Sequence, residues 1–147
     1  MESISSYMQQ DHVLIDGISE RAAAAAAARD FAGLARESSL FLQRLRRHIE
    51  MEEELLFPAF EQRTGMSDSG PSVQMRAEHV QMHGILQQIE AAAAASDGAA
   101  WQRAAQALHE ILIPHNLKEE QMMYPMLDQA MGEDAQALLA DVKEMAI

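Results

Sequence analysis

Five of the six histidines in this sequence stand in short motifs that could bind metal ions. Three pairs share the spacing i, i+4: His48 with Glu52, His79 with His83, and His115 with Glu119. On an α-helix this spacing places both side chains on one face, with Cβ atoms roughly 5–6 Å apart. One metal ion can bind both members of a pair, or two neighbouring ions can share them. The candidate ligands are therefore His12, His48, Glu52, His79, His83, His115 and Glu119.

These motifs belong to an internal duplication. The segment 8–18 matches 75–85, and the segment 48–58 matches 115–125, both at an offset of 67 residues and without a gap. The alanine runs 24–28 and 91–95 keep the same offset. Two separate histidine motifs in one register are hard to attribute to composition alone. Each half therefore carries one histidine followed by a His-x-x-x-Glu motif, and each half is interpreted as a helical hairpin.

The elements that position these residues are predicted to be helices throughout. We expect helices at about 7–28, 30–63, 72–95 and 99–130, with a short tail helix from Glu133 onward. Breaks are predicted at Arg29-Asp30, at 64–71, at 96–98 and at Gly132. Two antiparallel hairpins that bury their apolar faces against each other form an up-down-up-down four-helix bundle. The prediction is an all-α fold and a single domain over residues 1–147.

Three prolines lie inside the predicted helices. Pro58 and Pro125 are repeat mates, and Pro114 has no counterpart. A proline removes one backbone hydrogen bond and crowds the preceding turn. We therefore expect each of them to kink or end its helix.

Composition excludes several function classes. The chain has 147 residues and no cysteine, so disulfides, thiolate metal sites and iron–sulfur clusters are excluded. Its formal charge is −12, from 11 basic and 23 acidic residues, which disfavours nucleic acid as a partner. The N-terminal residues do not resemble a signal peptide, and the alanine runs are too short to span a bilayer. We expect a cytoplasmic protein with no membrane contact.

Taken singly, each histidine is better explained as an ordinary core or surface residue. Taken together, five histidines and two glutamates at matching heights of one bundle would leave many buried polar groups without a partner. Each such group would destabilise the fold by about 1–3 kcal/mol. Metal binding removes that cost. Seven ligands exceed one zinc ion, and calcium or magnesium prefers oxygen donors. A mixture of imidazole and carboxylate that serves two ions suits iron or manganese.

The segments His48–Pro58 and His115–Pro125 resemble the two signatures of the hemerythrin-like, or HHE cation-binding, domain family. The resemblance extends from about Met8 to about Gln129. It implies a pair of non-haem iron ions joined by an oxo or hydroxo group, with manganese and zinc ranking behind iron. It further implies that His79, His83 and His115 bind one iron, that His12 and His48 bind the other, and that Glu52 bridges them with a carboxylate of the fourth helix.

The sequence departs from the oxygen-carrying members of that family in three ways. The second bridging carboxylate is predicted to be Glu119, the repeat mate of Glu52, with Glu120 as the alternative. The spacings between motifs are longer, which argues against simple oxygen transport. The repeat mate of His83 is Asp16, which we expect either to bind the second iron or to hydrogen-bond its ligand.

Three other residues near the motifs receive plainer interpretations. His109 lies outside the repeat and is assigned to the surface or to the surroundings of the site. Tyr7 and Tyr124 are assigned to packing, the latter because its repeat mate is Phe57.

Three functions fit this reading. The first is a di-iron protein that binds O2 or another small diatomic or peroxide ligand, for sensing, storage or redox protection. The second is a di-iron redox enzyme that reduces peroxide or nitric oxide, or repairs iron–sulfur clusters. The third is a helical interaction module with a structural metal. A homodimer or another protein partner is compatible with each of them.

Overall fold

The computed structural model describes residues 2–146, and its long elements are all helices. The bundle consists of α1 (Ile4–Ala27), α2 (Phe31–Met51), α3 (Phe57–Thr64), α4 (Pro71–Ala94), α5 (Gly98–Lys118) and α6 (Tyr124–Met131). Two five-residue π-helical segments, Glu52–Leu56 and Glu119–Met123, join α2 to α3 and α5 to α6. A 3₁₀ turn (Gly132–Asp134) leads to the tail helix α7 (Ala135–Glu144). The four long helices of the predicted hemerythrin-like bundle are therefore α1, α2 continued by α3, α4, and α5 continued by α6. The largest difference from the predicted boundaries is at the start of α1, which was predicted near residue 7 and begins at Ile4.

The turns inside the two hairpins repeat each other in backbone detail. Arg29 and Ser96, which are repeat mates, both adopt the left-handed conformation, with φ of 57° and 52°. The next residues, Asp30 and Asp97, cap the following helix, because each side chain accepts a hydrogen bond from the backbone N–H three residues later. The duplication seen in the sequence therefore extends to local geometry.

The π-helical segments precede Pro58 and Pro125. In each, the residue before the proline donates its backbone N–H five residues back, from Phe57 to Glu52 and from Tyr124 to Glu119. A proline cannot donate to the carbonyl four residues before it, and its ring crowds that carbonyl, so a wider turn accommodates it. Helical structure continues past Pro58 in α3 and past Pro125 in α6, and Pro114 lies within α5. None of the three prolines ends its helix, and a kink at these positions stays a prediction.

Two apolar clusters fill the bundle. One is centred on Phe41, Trp101 and the alanine-rich ends of the hairpins. The other joins Phe57, Phe60 and the apolar face of α7 at the opposite end. In α1, His12 lies between Met8 of the second cluster and Ile15 of the first, and in α4, His79 lies between Met75 and Met82 in the same way. Within residues 2–146, no helix has the length and apolar character that a membrane crossing requires.

Candidate metal centre

Six buried side chains from all four long helices meet between the two apolar clusters. Each residue is at most 3% exposed. They are His12, His48, Glu52, His79, His115 and Glu119. Their ligand atoms form two overlapping groups, and within each group the atoms lie within 4.8 Å of one another. Residues of these types at such separations can hold metal ions.

The cluster has two histidine poles. The His12 pole contains His12 and His48, whose ring centroids are 4.6 Å apart. The His79 pole contains the repeat mates of these residues, His79 and His115, at 4.9 Å. Each pole therefore draws one histidine from the first helix of a hairpin and one from the second helix of the same hairpin.

Two glutamates lie between the poles. Glu52 places Oε1 at 3.1 Å from His79 Nε2 and Oε2 at 3.7 Å from His48 Nε2. Glu119 places Oε1 at 3.3 Å from His12 Nε2 and Oε2 at 3.3 Å from His115 Nε2. Each carboxylate thus directs one oxygen to each pole, and Glu119 belongs to the candidate ligand groups of both.

A second set of carboxylates supports the histidines from outside. The Nδ1 atom of every pole histidine lies 2.6–2.7 Å from a carboxylate oxygen. The four pairs are His12 with Glu120, His48 with Asp11, His79 with Glu53, and His115 with Glu78. A carboxylate on Nδ1 fixes the ring orientation and leaves Nε2 free to face a metal.

Sequence reasoning missed these supporting carboxylates, although a signal was present. Both halves contain an acidic residue directly before the first histidine, Asp11 and Glu78, and a second glutamate directly after the inner one, Glu53 and Glu120. Asp11 and Glu78 also contact a cation each, Arg44 and Lys118 respectively. The paired acidic residues at an offset of 67 could have been recognised as supports of the repeated histidines.

Tyr124 occupies the His12 pole. Its hydroxyl oxygen lies 2.7 Å from Glu52 Oε2 and 3.0 Å from Glu119 Oε1. The Nε2 atoms of His48 and His12 lie 3.2 and 3.3 Å from the same oxygen. Burial, together with the charges of Glu119 and Glu52, raises the pKa of Tyr124 well above its usual value. The assignment of this residue to packing alone is therefore corrected.

The wide turn explains why Tyr124 reaches the ligands. In an α-helix, residues five apart point in different directions, whereas in a π turn they share a face. Tyr124 follows Glu119 by five residues across the π-helical segment and so projects beside it. Its repeat mate Phe57 takes the equivalent place and stacks on His79, with ring centroids 5.7 Å apart. The spacing from Glu to an aromatic residue before proline was the signal in the sequence.

The residues fit a bound cation on grounds of hydrogen bonding. Three buried atoms of the His79 pole, Glu52 Oε1, His79 Nε2 and Glu119 Oε2, lack a well-aligned hydrogen bond within residues 2–146. Their nearest polar contacts are with one another and with His115, at 3.1 Å between His79 Nε2 and Glu52 Oε1 and 3.3 Å between His115 Nε2 and Glu119 Oε2. Leaving such a group unpaired costs about 1–3 kcal/mol. A cation coordinated by these atoms would remove the cost, so the buried His/Glu cluster can hold a metal ion.

The titration behaviour of the cluster points to competition between protons and cations. Burial and the charge of Glu119 raise the pKa of Glu52. Burial opposes ionisation of Glu119, but its hydrogen bonds with Glu52, His115 and His12 hold its pKa well below the usual range. Burial lowers the pKa of His12 and of His79, yet hydrogen bonds and charges of neighbouring carboxylates outweigh it and raise both pKa values to about 9. Bound cations would replace these protons.

The structure does not bring His83 and Asp16 into the cluster. Both are exposed, and His83 borders a surface cavity beside Arg46 and Glu50. The buried stripe of α4 continues from His79 to Met82, three residues on. At 3.6 residues per turn, the side chain of His83 points about 80° away from that of Met75, whereas the side chain of Met82 points only about 20° away from it. His83 and its mate therefore face outward.

The remaining predicted residues lie around the site. Glu119, in the π-helical segment between α5 and α6, is the carboxylate that lies inside the cluster, and Glu120 lies on the outer side of His12. His109 is half-buried, with Nε2 at 3.4 Å from Ser19 Oγ. Tyr7 is half-buried and borders a small cavity together with Asp11 and Arg44.

Comparison with known proteins identifies a family. The model of the hemerythrin HHE cation binding domain matches residues 3–127. This stretch includes all four long helices up to Leu127 and all six residues of the buried cluster. No curated protein and no solved structure matches the chain.

Proposed function

The chain belongs to the hemerythrin HHE cation-binding domain family, and on that premise we propose that it holds a pair of non-haem iron ions that binds a small ligand. One ion is held at each pole, and Glu52 and Glu119 bridge them. The ligand is O2, another small diatomic molecule or peroxide, and its binding serves sensing, storage or redox protection.

The observation that carries the proposal is the direction of the two inner carboxylates. Each sends one oxygen to the His12 pole and the other to the His79 pole, at 3.1–3.7 Å from the histidine nitrogens. A single ion would use only one pole and would leave the inward-facing Nε2 atoms of two buried histidines without a metal ion. Two ions engage every inward-facing nitrogen and oxygen of the six residues.

The donor set supports iron. The His79 pole offers two imidazole nitrogens and two carboxylate oxygens within 4.8 Å of one another, and the His12 pole offers two imidazole nitrogens and one oxygen of Glu119. Glu52 Oε2 adds a further contact to the His12 pole, at 3.7 Å from His48 Nε2. Non-haem iron sites with two histidines and a carboxylate keep open positions. An iron pair with open positions supplies both a binding place for a small ligand and electrons for its reduction. The chain's own residues bind and orient the ions, while the apolar clusters around Phe41 and Phe57 exclude bulk water.

The same donor count favours one competing function. Four protein donors complete a tetrahedral zinc site, and such closed sites are structural. The six residues are also almost fully buried. A helical interaction module with structural metal is therefore the second candidate, and the two functions differ in whether a bound metal responds to small ligands.

The test is metal analysis combined with visible spectroscopy of protein purified from iron-replete cells. We expect two irons per chain and charge-transfer absorption that changes when the anaerobically reduced protein meets air, or when the oxidised protein meets azide. The control is His109→Ala, which lies outside the cluster and should preserve metal content and spectrum. Zinc as the only metal, or iron whose spectrum no small ligand changes, would contradict the proposal and favour the structural function.

A further inference from the structure

The six ligands of the cluster obey the internal repeat, and Tyr124 breaks it. His12, His48 and Glu52 have His79, His115 and Glu119 as mates. The repeat mate of Tyr124 is Phe57, which has no hydroxyl group. Whatever distinguishes the two poles inside the cluster must therefore involve this aromatic pair.

The hydroxyl of Tyr124 contacts the atoms of one pole only. Its oxygen is within 3.3 Å of His12 Nε2, His48 Nε2, Glu52 Oε2 and Glu119 Oε1. Three of these residues, His12, His48 and Glu119, form the group of candidate ligands at the His12 pole, and Glu52 is the fourth donor under the proposed bridging. The corresponding atoms of the His79 pole contact one another instead, with His79 Nε2 at 3.1 Å from Glu52 Oε1 and His115 Nε2 at 3.3 Å from Glu119 Oε2. Three of these four atoms lack a well-aligned hydrogen bond within the described chain.

From this difference we infer that Tyr124 sets the order of metal uptake, so that the first ion binds at the His79 pole and the second at the His12 pole. The first ion binds at the pole where Phe57, which has no hydroxyl group, takes the place of Tyr124. The second ion must move the Tyr124 hydroxyl from the centre of its four donors and break those contacts. This inference rests on the proposed two-ion site and adds an order of occupation to it.

The test compares the poles one at a time, because repulsion between two ions would weaken the second binding event in any case. His12→Ala and His79→Ala are repeat mates, and each removes one donor from one pole. Apoprotein carrying either substitution is titrated with Co²⁺ under anaerobic conditions and followed by visible absorption and calorimetry. With Tyr124 present, we expect His12→Ala, whose His79 pole is intact, to bind the first Co²⁺ about tenfold or more tightly than His79→Ala does.

The decisive step repeats both titrations in the Tyr124→Phe background. That substitution introduces the residue found at the mate position, so the fold should tolerate it, and circular dichroism with thermal unfolding verifies this. The affinity ratio between the two single-pole proteins should fall to within about threefold. The converse substitution, Phe57→Tyr, adds a hydroxyl beside His79 and should weaken Co²⁺ binding of the His12→Ala protein.

The outcomes separate the inference from the function on which it rests. If the ratio stays at tenfold or more after Tyr124→Phe, or if His79→Ala binds more tightly from the start, the inferred order is wrong even though two ions bind. If the otherwise unsubstituted chain and the Tyr124→Phe protein both bind only one Co²⁺, the two-ion site itself is refuted.

Discussion

The two hairpins of this molecule hold matching ligands and yet differ in what surrounds them. In both, one histidine, one His-x-x-x-Glu motif and two supporting carboxylates occupy equivalent places. The differences lie at Phe57 against Tyr124 inside the cluster, and at Asp16 against His83 on the surface. A bridged pair of ions requires the common part twice, whereas the aromatic position is free to diverge. The inequality of the poles therefore comes from a residue that a list of metal ligands would omit.

The largest expected effect comes from the carboxylates that belong to both poles. Glu52→Gln removes the negative charge of a carboxylate whose two oxygens face the two proposed ions. Metal content, measured by metal analysis after dialysis, should therefore fall from two ions per chain to fewer than one. Glu119→Gln, its repeat mate, should behave alike. The exposed Glu54→Gln next to the site is the control and should keep both ions. Retention of two ions by either inner variant would show that the carboxylates do not bridge.

The metal-free protein should lose stability as pH rises. His12 and His79 have folded-state pKa values of about 9, above the ordinary value of about 6.5. Their contribution is complete below about pH 6.5 and is lost as pH passes through about 9, on the order of 3 kcal/mol for each histidine. Urea unfolding of apoprotein between pH 6 and 10 measures this decline.

The two halves can be compared through the same titration. His12→Ala and His79→Ala should each remove a similar part of the pH dependence, because the two histidines occupy equivalent places. Metal-loaded protein should show little of it, since ions have replaced the protons. A stability of apoprotein that is flat or rises from pH 6.5 to 9 would contradict the charge balance described for the cluster.

Smaller effects are expected from the supporting carboxylates. Glu53→Gln loosens His79, and Glu120→Gln loosens His12. Loss of such a partner typically lowers metal affinity about 10–100-fold. If the His79 pole fills first, Glu53→Gln should weaken the first Co²⁺ binding event and Glu120→Gln the second, both measured by calorimetry. Equal effects of the two substitutions on both events would argue against separate poles.

The sequence predicted the bundle well because its information is periodic and repeated. The offset of 67 residues defined two hairpins, and residues such as Asp30 and Asp97 marked where helices begin. The rotation of side chains within a helix was harder to predict. His83 has the same spacing from His79 as Glu52 has from His48, but only the second pair lies on the buried stripe.

The place of Tyr124 could not be predicted from α-helical spacing. A residue five positions after Glu119 points away from it in a regular α-helix, and the π-helical segment reverses that expectation. The prolines at 58 and 125 were noticed in the sequence, but we expected kinks or ends there rather than wider turns. Local backbone geometry brings both aromatic side chains to the ligands, and residue type decides that only Tyr124 adds a hydroxyl group there.

The smallest expected effect concerns the surface pair that also breaks the repeat. Asp16 and His83 are both exposed and lie outside the buried cluster, so Asp16→Ala and His83→Ala should leave metal content, visible spectrum and azide affinity unchanged. Tyr124→Phe, measured alongside, should alter the metal-binding order. A loss of metal or a spectral change on His83→Ala would mean that α4 rotates on metal binding to bring this side chain inward, and the asymmetry of the poles would then have a second source. Unchanged spectra for both surface variants would leave the aromatic pair as the difference that matters inside the cluster.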